Sequence, residues 1–354
     1  MTAVMENLLA AYERQNHIGP EFGGDEEGNN GLTNHGPMVA EVMARRGLDV
    51  NIERWLDDYV PRLTDLPTPS ERITVAHWRE ALGDARRIAD WTAFFRAEVR
   101  RRPWQDTLAT WWSRLLPGIA AGSTHGVIRV GHAVRTLRTG VGGPALDELA
   151  NGLAFWAARW RPMPADISGS SAPGPAAALD ALPELPDRSG LIAQRLTRLT
   201  RMPQWPAALA ALPAPDDADG VPAALAALVD AATVRYLRIG SHAPVLLVHT
   251  ATAPNAVLAC LPVLPAEMWR ASLAAAWAAT AAITITYAGA PGDRSAALLD
   301  ADNPATILLE RAADHRDEHV IKFADTAVES FERTGNREAL AAAHLAADLI
   351  DASR

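Results

Sequence analysis

Apolar residues recur every three to four positions through almost the whole chain, from "MENLLAAYERQ" at residues 5–15 to "REALAAAHLAADLID" at 337–351. That period lays one apolar stripe along each of a series of α-helices and leaves little room for sheet. Boundary residues agree. "GPMVAEVMARRG" carries Pro37 near its first turn and Gly47 at its end, the asymmetry of a helix start and stop. The same pattern continues through "NIERWLDDYVPRL", "WREALGDARRIADWTAFFRAEVRRR", "WQDTLATWWSRLLPGIAAG", "THGVIRVGHAVRTLR" and "PALDELANGLAFWAARW". It breaks at about residues 161–190, a Pro-, Gly-, Ser- and Ala-rich stretch that reads as a linker or exposed excursion, and then resumes to the C-terminus. "ITITYA", residues 283–288, is the one plausible strand, and no internal repeat is present. The expected fold is all-α, a large helical bundle-like domain over residues 1–354 with a metal site in its core. A chain of 354 residues would also accommodate two packed subdomains.

Composition narrows the partners. The net charge of −9, with arginines scattered among acids, offers no basic footprint for nucleic acid. The single cysteine, Cys260, rules out a disulfide framework and suits a reducing cytoplasm. The N-terminus lacks the basic and apolar regions of a signal peptide. The longest apolar run, "ASLAAAWAATAAITITYAGA" from Ala271, is long enough to span a bilayer, but it is Ala-rich and reads as a buried core helix. The expectation is a cytoplasmic protein without membrane or nucleic-acid partners, with a homodimer allowed.

Ten histidines are present, and five sit in apolar or glycine-rich settings. His35 lies in "GLTNHGPM", His125 and His132 in "STHGVIRVGHAVR", His249 in "PVLLVHTATAP" and His319 in "DEHVIK". Each alone is more often a hydrogen-bonded core residue than a ligand. As a set drawn from separate helices, they are what a metal site in a helical core requires, although imidazole suits Fe, Zn, Cu or Ni alike. No HExxH or CxxC motif is present. His17, His77, His242, His315 and His344 fall in loops or on polar faces and receive no role. Lys322 stands one turn after His319, in a chain with very few lysines and many arginines. Its plain reading is a surface pair with Asp325 or Glu318.

"NHGPM", "THGVIRVGHAVR", "VHTATAP" and "DEHVIKF", in that order, resemble the questin oxidase-like proteins, oxidoreductases linked to Baeyer–Villiger-type oxidation and ring opening of anthraquinones and related aromatic polyketides. The resemblance runs from about Tyr12 to Phe323. It implies a helical enzyme holding one non-heme Fe(II) on His35, His125, His249, His319 and a carboxylated Lys322, with O2 as co-substrate and an aromatic polyketide as substrate. The chain departs from fungal members at Met38 and Arg129, where those carry further histidines, and at His132, where those carry an aromatic residue. His132 is therefore read as pocket wall or support for the ligands. Arg129, one turn after His125, either orients a phenolate or a carboxylate or makes a plain salt bridge.

The resemblance also accounts for the lysine. Burial disfavours an ammonium, and a neutral amine captures CO2 to give an anionic carbamate, an oxygen ligand in place of a cation. The spacing of His319 and Lys322 puts both on one helix face. Trp104, Trp111 and Trp112 are candidates for an aromatic wall, though tryptophans at helical spacing are more often core. No GxGxxG follows a strand, so no built-in flavin or NAD(P) domain is expected. "EFGGDEEGNN" with "GLTNHG" reads as a lid or as an acidic surface loop. The rival functions are a metal-dependent hydrolase with a carboxylated lysine and a non-catalytic helical binding protein.

Overall fold

A computed structural model describes residues 2–21, 33–48, 52–165, 172–190, 192–292 and 301–352. Of the stretch read as a lid, residues 21–36, positions 22–32 lie outside them. The protein is all-α, and its contacts divide it into two compact units, residues 1–162 with 262–264, and 163–261 with 265–354. The division falls at the start of the proline-rich stretch.

The first unit contains α1 (Ala3–Gln15), α2 (Gly36–Arg46), α3 (Ile52–Tyr59), α4 (Trp78–Ala81), α5 (Ile88–Arg101), α6 (Trp104–Leu115), α7 (His125–Leu137) and α8 (Pro144–Arg159). The second contains α9 (Pro175–Asp180), α10 (Ile192–Leu199), α11 (Trp205–Leu209), α12 (Val221–Ile239), α13 (Pro244–Leu247), α14 (His249–Cys260), α15 (Trp269–Tyr287), α16 (Pro304–His315), α17 (Glu318–Thr334) and α18 (Arg337–Leu349). Two short antiparallel strands, β1 (Ile18–Glu21) and β2 (Leu63–Asp65), lie in the first unit.

Helix ends follow the expected chemistry. Pro37 sits in the first turn of α2, and Gly47 closes it at φ 61°. Asp317 caps α17, accepting hydrogen bonds from the backbone N–H of His319 (2.9 Å) and Val320 (3.1 Å). In the first unit α7 packs closely on α8. A Cβ at Gly126 would lie 2.6 Å from Trp156 Cβ, and one at Gly152 would lie 3.2 Å from the Val130 backbone N. Trp111 meets Trp78, Trp91, Phe94 and Phe95 in one aromatic cluster, and Trp112 meets Trp156 edge to face. Trp111 and Trp112 are therefore core residues, and only Trp104 reaches partway to solvent.

In the second unit α15 is buried on every side from Ser272 to Thr286, as an apolar helix with no polar face must be. "ITITYA" begins inside this helix, contrary to its reading as a strand. Its threonines hydrogen-bond back along the helix, Thr284 Oγ1 to Thr280 O (2.8 Å) and Thr286 Oγ1 to Ala282 O (2.7 Å). Burial and these bonds outweigh the β-branched pattern. Among the described residues one stretch, Pro244–Val263, is long and apolar enough to cross a membrane, and 72% of it is buried inside the protein.

Candidate metal centre

α7 begins at His125, directly after a backbone corner. Gly122, Ser123 and Thr124 stand at φ 58°, 54° and 65°. Glycine takes this conformation freely, whereas serine and β-branched threonine each lose about 1–2 kcal/mol there. Such strain persists where the surroundings enforce it. Its effect is to bring the Gly122 carbonyl onto the imidazole: His125 Nδ1–H donates to Gly122 O at 2.8 Å. That bond leaves the lone pair on Nε2.

His125 Nε2 lies 2.9 Å from His35 Nε2, with the rings nearly perpendicular at 85°. His35 precedes α2 and is fully buried. Its N–H donates to the Tyr59 hydroxyl at 2.7 Å, and the same hydroxyl lies 3.4 Å from His35 Nδ1. Two imidazole nitrogens this close share either a proton or a cation. Neighbouring ligands at right angles on a metal, each about 2.1 Å from it, stand about 3 Å apart.

Farther along the same face of α7 stand Arg129 and His132. Arg129 makes a two-pronged ion pair with Glu148, Nε to Oε1 at 2.5 Å and Nη2 to Oε2 at 2.8 Å, with both residues buried. Of the two readings of Arg129, the salt bridge is present. His132 Nδ1 meets Glu41 Oε2 at 2.6 Å, while Arg45 donates to Glu41 Oε1 at 2.9 Å. Burial alone pushes the Glu41 carboxyl up, but His132, Arg135 and Arg45 outweigh it and hold the group below the ordinary carboxylate range. The nearby Tyr12 phenol is pushed well up by burial and by Glu41, and it shares a hydrogen bond with Thr136 (2.9 Å).

The second unit repeats the device seen at His125. His249 opens α14, and its Nδ1–H donates to Val245 O (2.9 Å) and Leu246 O (3.2 Å), again leaving Nε2 with the lone pair. Burial holds its pKa well below the usual histidine value, and His319 and Lys322 push in the same direction. The His319 ring centroid is 5.4 Å from that of His249. Donor atoms of Asp317, Glu318 and His319 lie within 4.8 Å of one another, and all three residues are buried. Burial pushes Asp317 up, but His319 and the backbone N–H groups it caps outweigh that and keep its pKa low. Lys322 lies one turn on. It is 3% exposed and is the single lysine of the chain.

All five histidines singled out in the sequence are buried, whereas His17, His77 and His242 are exposed and His315 and His344 half-buried. The structure pairs His35 with His125, and His249 with His319 and Lys322. The sequence reading missed Glu41, Glu148, Tyr12 and Tyr59. Acids on helices read as solvent-facing, and nothing local marks these two as buried. The four-residue spacing of Glu41 and Arg45 was the one available signal.

Buried neutral imidazoles with the far nitrogen anchored to a fixed acceptor are how proteins prepare histidine for a metal. The buried histidines and acids could hold a metal ion, and imidazole does not select among Fe, Zn, Cu and Ni. Residues 52–172 match the questin oxidase-like family model, which supports the resemblance over that stretch and includes one of its four motifs, "THGVIRVGHAVR". The matched stretch contains His125, Arg129 and His132. Comparison with curated proteins gave no match.

Proposed function

We propose that this protein is an Fe(II)- and O2-dependent oxygenase that cleaves a ring C–C bond of an anthraquinone-like aromatic polyketide in the cytoplasm. Its ligands are His35, His125, His249, His319 and a carboxylated Lys322. The observation that carries this reading is the anchoring of the His125 and His249 Nδ1–H groups on backbone carbonyls, which places the lone pair of each ring on Nε2, the atom that would donate to a cation. Bound iron supplies the activation of O2. His249 stays neutral through burial and so remains a donor at neutral pH. Lys322 contributes an anionic oxygen once its amine has captured CO2 and released a proton. His132, oriented through Nδ1 by Glu41, offers Nε2 to take a phenolic proton from the substrate. Arg129, neutralised by Glu148, orients the substrate and adds no net charge.

The single lysine makes the test direct. Protein equilibrated with 13C-bicarbonate is expected to show a side-chain carbamate resonance that is absent in Lys322→Ala. Elemental analysis is expected to find near-stoichiometric iron in wild type and at least a fivefold loss in the variant. Zinc in place of iron, with no O2 uptake on anthraquinones, would replace this reading with the hydrolase. No metal in either protein would end it.

A further inference from the structure

Within the second unit a cleft of about 330 Å3 opens beside α9, α12 and the C-terminal half of α17. None of the histidines discussed above lines it. Ser330 is 1% exposed and lines the cleft, yet its hydroxyl has no hydrogen-bond partner among the described residues. The Nε–H of Arg235, a second lining residue, is also buried without a partner. Buried polar atoms are nearly always satisfied, so two lining one cleft mark a place where a ligand supplies the missing partners. A guanidinium N–H can only donate and a hydroxyl can donate, so the ligand must present acceptors.

Charge and shape narrow its class. Arg235 and Arg238 both reach the same oxygen of Asp180, Arg238 at 3.6 Å, and Asp180 is itself 54% exposed. Asp230 is neutralised by Arg333 at 2.6 Å. These three arginines and two aspartates leave one positive charge at the cleft. Leu179 and Val234 give it apolar walls. Its volume lies at the lower end of the range for small-molecule sites, room for a flat body of one or two rings. Planar guanidinium groups suit a carboxylate better than any other small anion but phosphate, and the apolar walls disfavour phosphate. We infer that this cleft binds a small aromatic monocarboxylate, with its ring against Leu179 and Val234 and its carboxylate on Arg235, Arg238 and Ser330. The inference stands independently of the metal centre.

Calorimetric titration of the full-length protein with 2-naphthoate, and with neutral 2-naphthamide, tests it. Naphthoate is expected to bind at least tenfold more tightly than the amide. Ser330→Ala and Arg238→Gln should each weaken it fivefold or more, with thermal midpoints checking that both variants fold. Asp180→Asn, at an exposed position, removes the competing carboxylate and should tighten binding about threefold. Equal binding of acid and amide, or naphthoate affinity unchanged in all three variants, overturns the proposal. So does the absence of binding.

Discussion

Gly122 shows how one residue's backbone can decide the chemistry of another's side chain. Its φ of 58° turns its carbonyl towards the His125 ring, and that carbonyl fixes which imidazole nitrogen carries the lone pair. A methyl group here would meet both the left-handed backbone and Phe155, whose Cε1 would stand 2.9 Å away. Gly122→Ala is expected to cost about 1–3 kcal/mol in urea denaturation and to lower metal retention together with stability. Unchanged stability would mean the corner is not strained. Much of this was hidden in the sequence. "STHG" announces a helix start at His125, which the structure bears out, but nothing in Ser123 or Thr124 signals a positive φ. The histidines themselves were legible, because five of the ten stand among small and apolar neighbours where a solvent-facing imidazole would not. Their partners were not legible. Glu41 and Glu148 are buried only because His132 and Arg129 reach them from 91 and 19 residues away.

At the scale of elements, α14 and α15 solve a problem that α14 creates for itself. Pro254 lies inside α14 and has no N–H, so the Thr250 carbonyl four residues earlier loses its helical partner. Thr280 on α15 supplies the replacement, donating its hydroxyl to Thr250 O at 3.0 Å. Thr280→Val should therefore strand a buried carbonyl and cost about 1–3 kcal/mol. In a Pro254→Ala background the helix satisfies that carbonyl itself, and the same substitution should cost far less. A double-mutant cycle by urea denaturation measures the coupling; additive losses would show that the bond does not compensate for the proline. The period of 3.6 made helices on this scale easy to read, and Pro and Gly marked their ends. Reading "ITITYA" as a strand failed because alternating β-branched residues are a local preference, whereas full burial and back-bonded threonine hydroxyls are supplied by the rest of the fold. Strands β1 and β2, of four and three residues, were too short to leave a pattern.

Over the whole molecule, the buried titratable groups act in one direction as pH falls. His249 is held well below the ordinary histidine value by burial, then by His319 and Lys322. His344 is held lower by burial and then by Arg311. Below about pH 6.5 the unfolded chain takes up protons that these folded histidines refuse, so stability falls with acid, by up to about 1.4 kcal/mol per pH unit for each group. Asp90, Glu41 and Asp317 are lowered carboxyls, so their contribution is complete above the ordinary carboxylate range and is lost only as pH falls through their depressed values. The metal-free protein should accordingly lose stability in two stages, the first between roughly pH 6.5 and 5 and the second below about pH 4.5. His344→Gln, at a half-buried position with no assigned ligand role, should flatten only the first stage, and Asp90→Asn, whose partners include no histidine, only the second. Urea midpoints from pH 8 to 3.5 on chelator-treated protein measure both. A single loss confined to the carboxylate range would mean that the histidines titrate alike in the folded and unfolded chain, and that the fold does not impose the neutrality that the proposed ligand role of His249 requires.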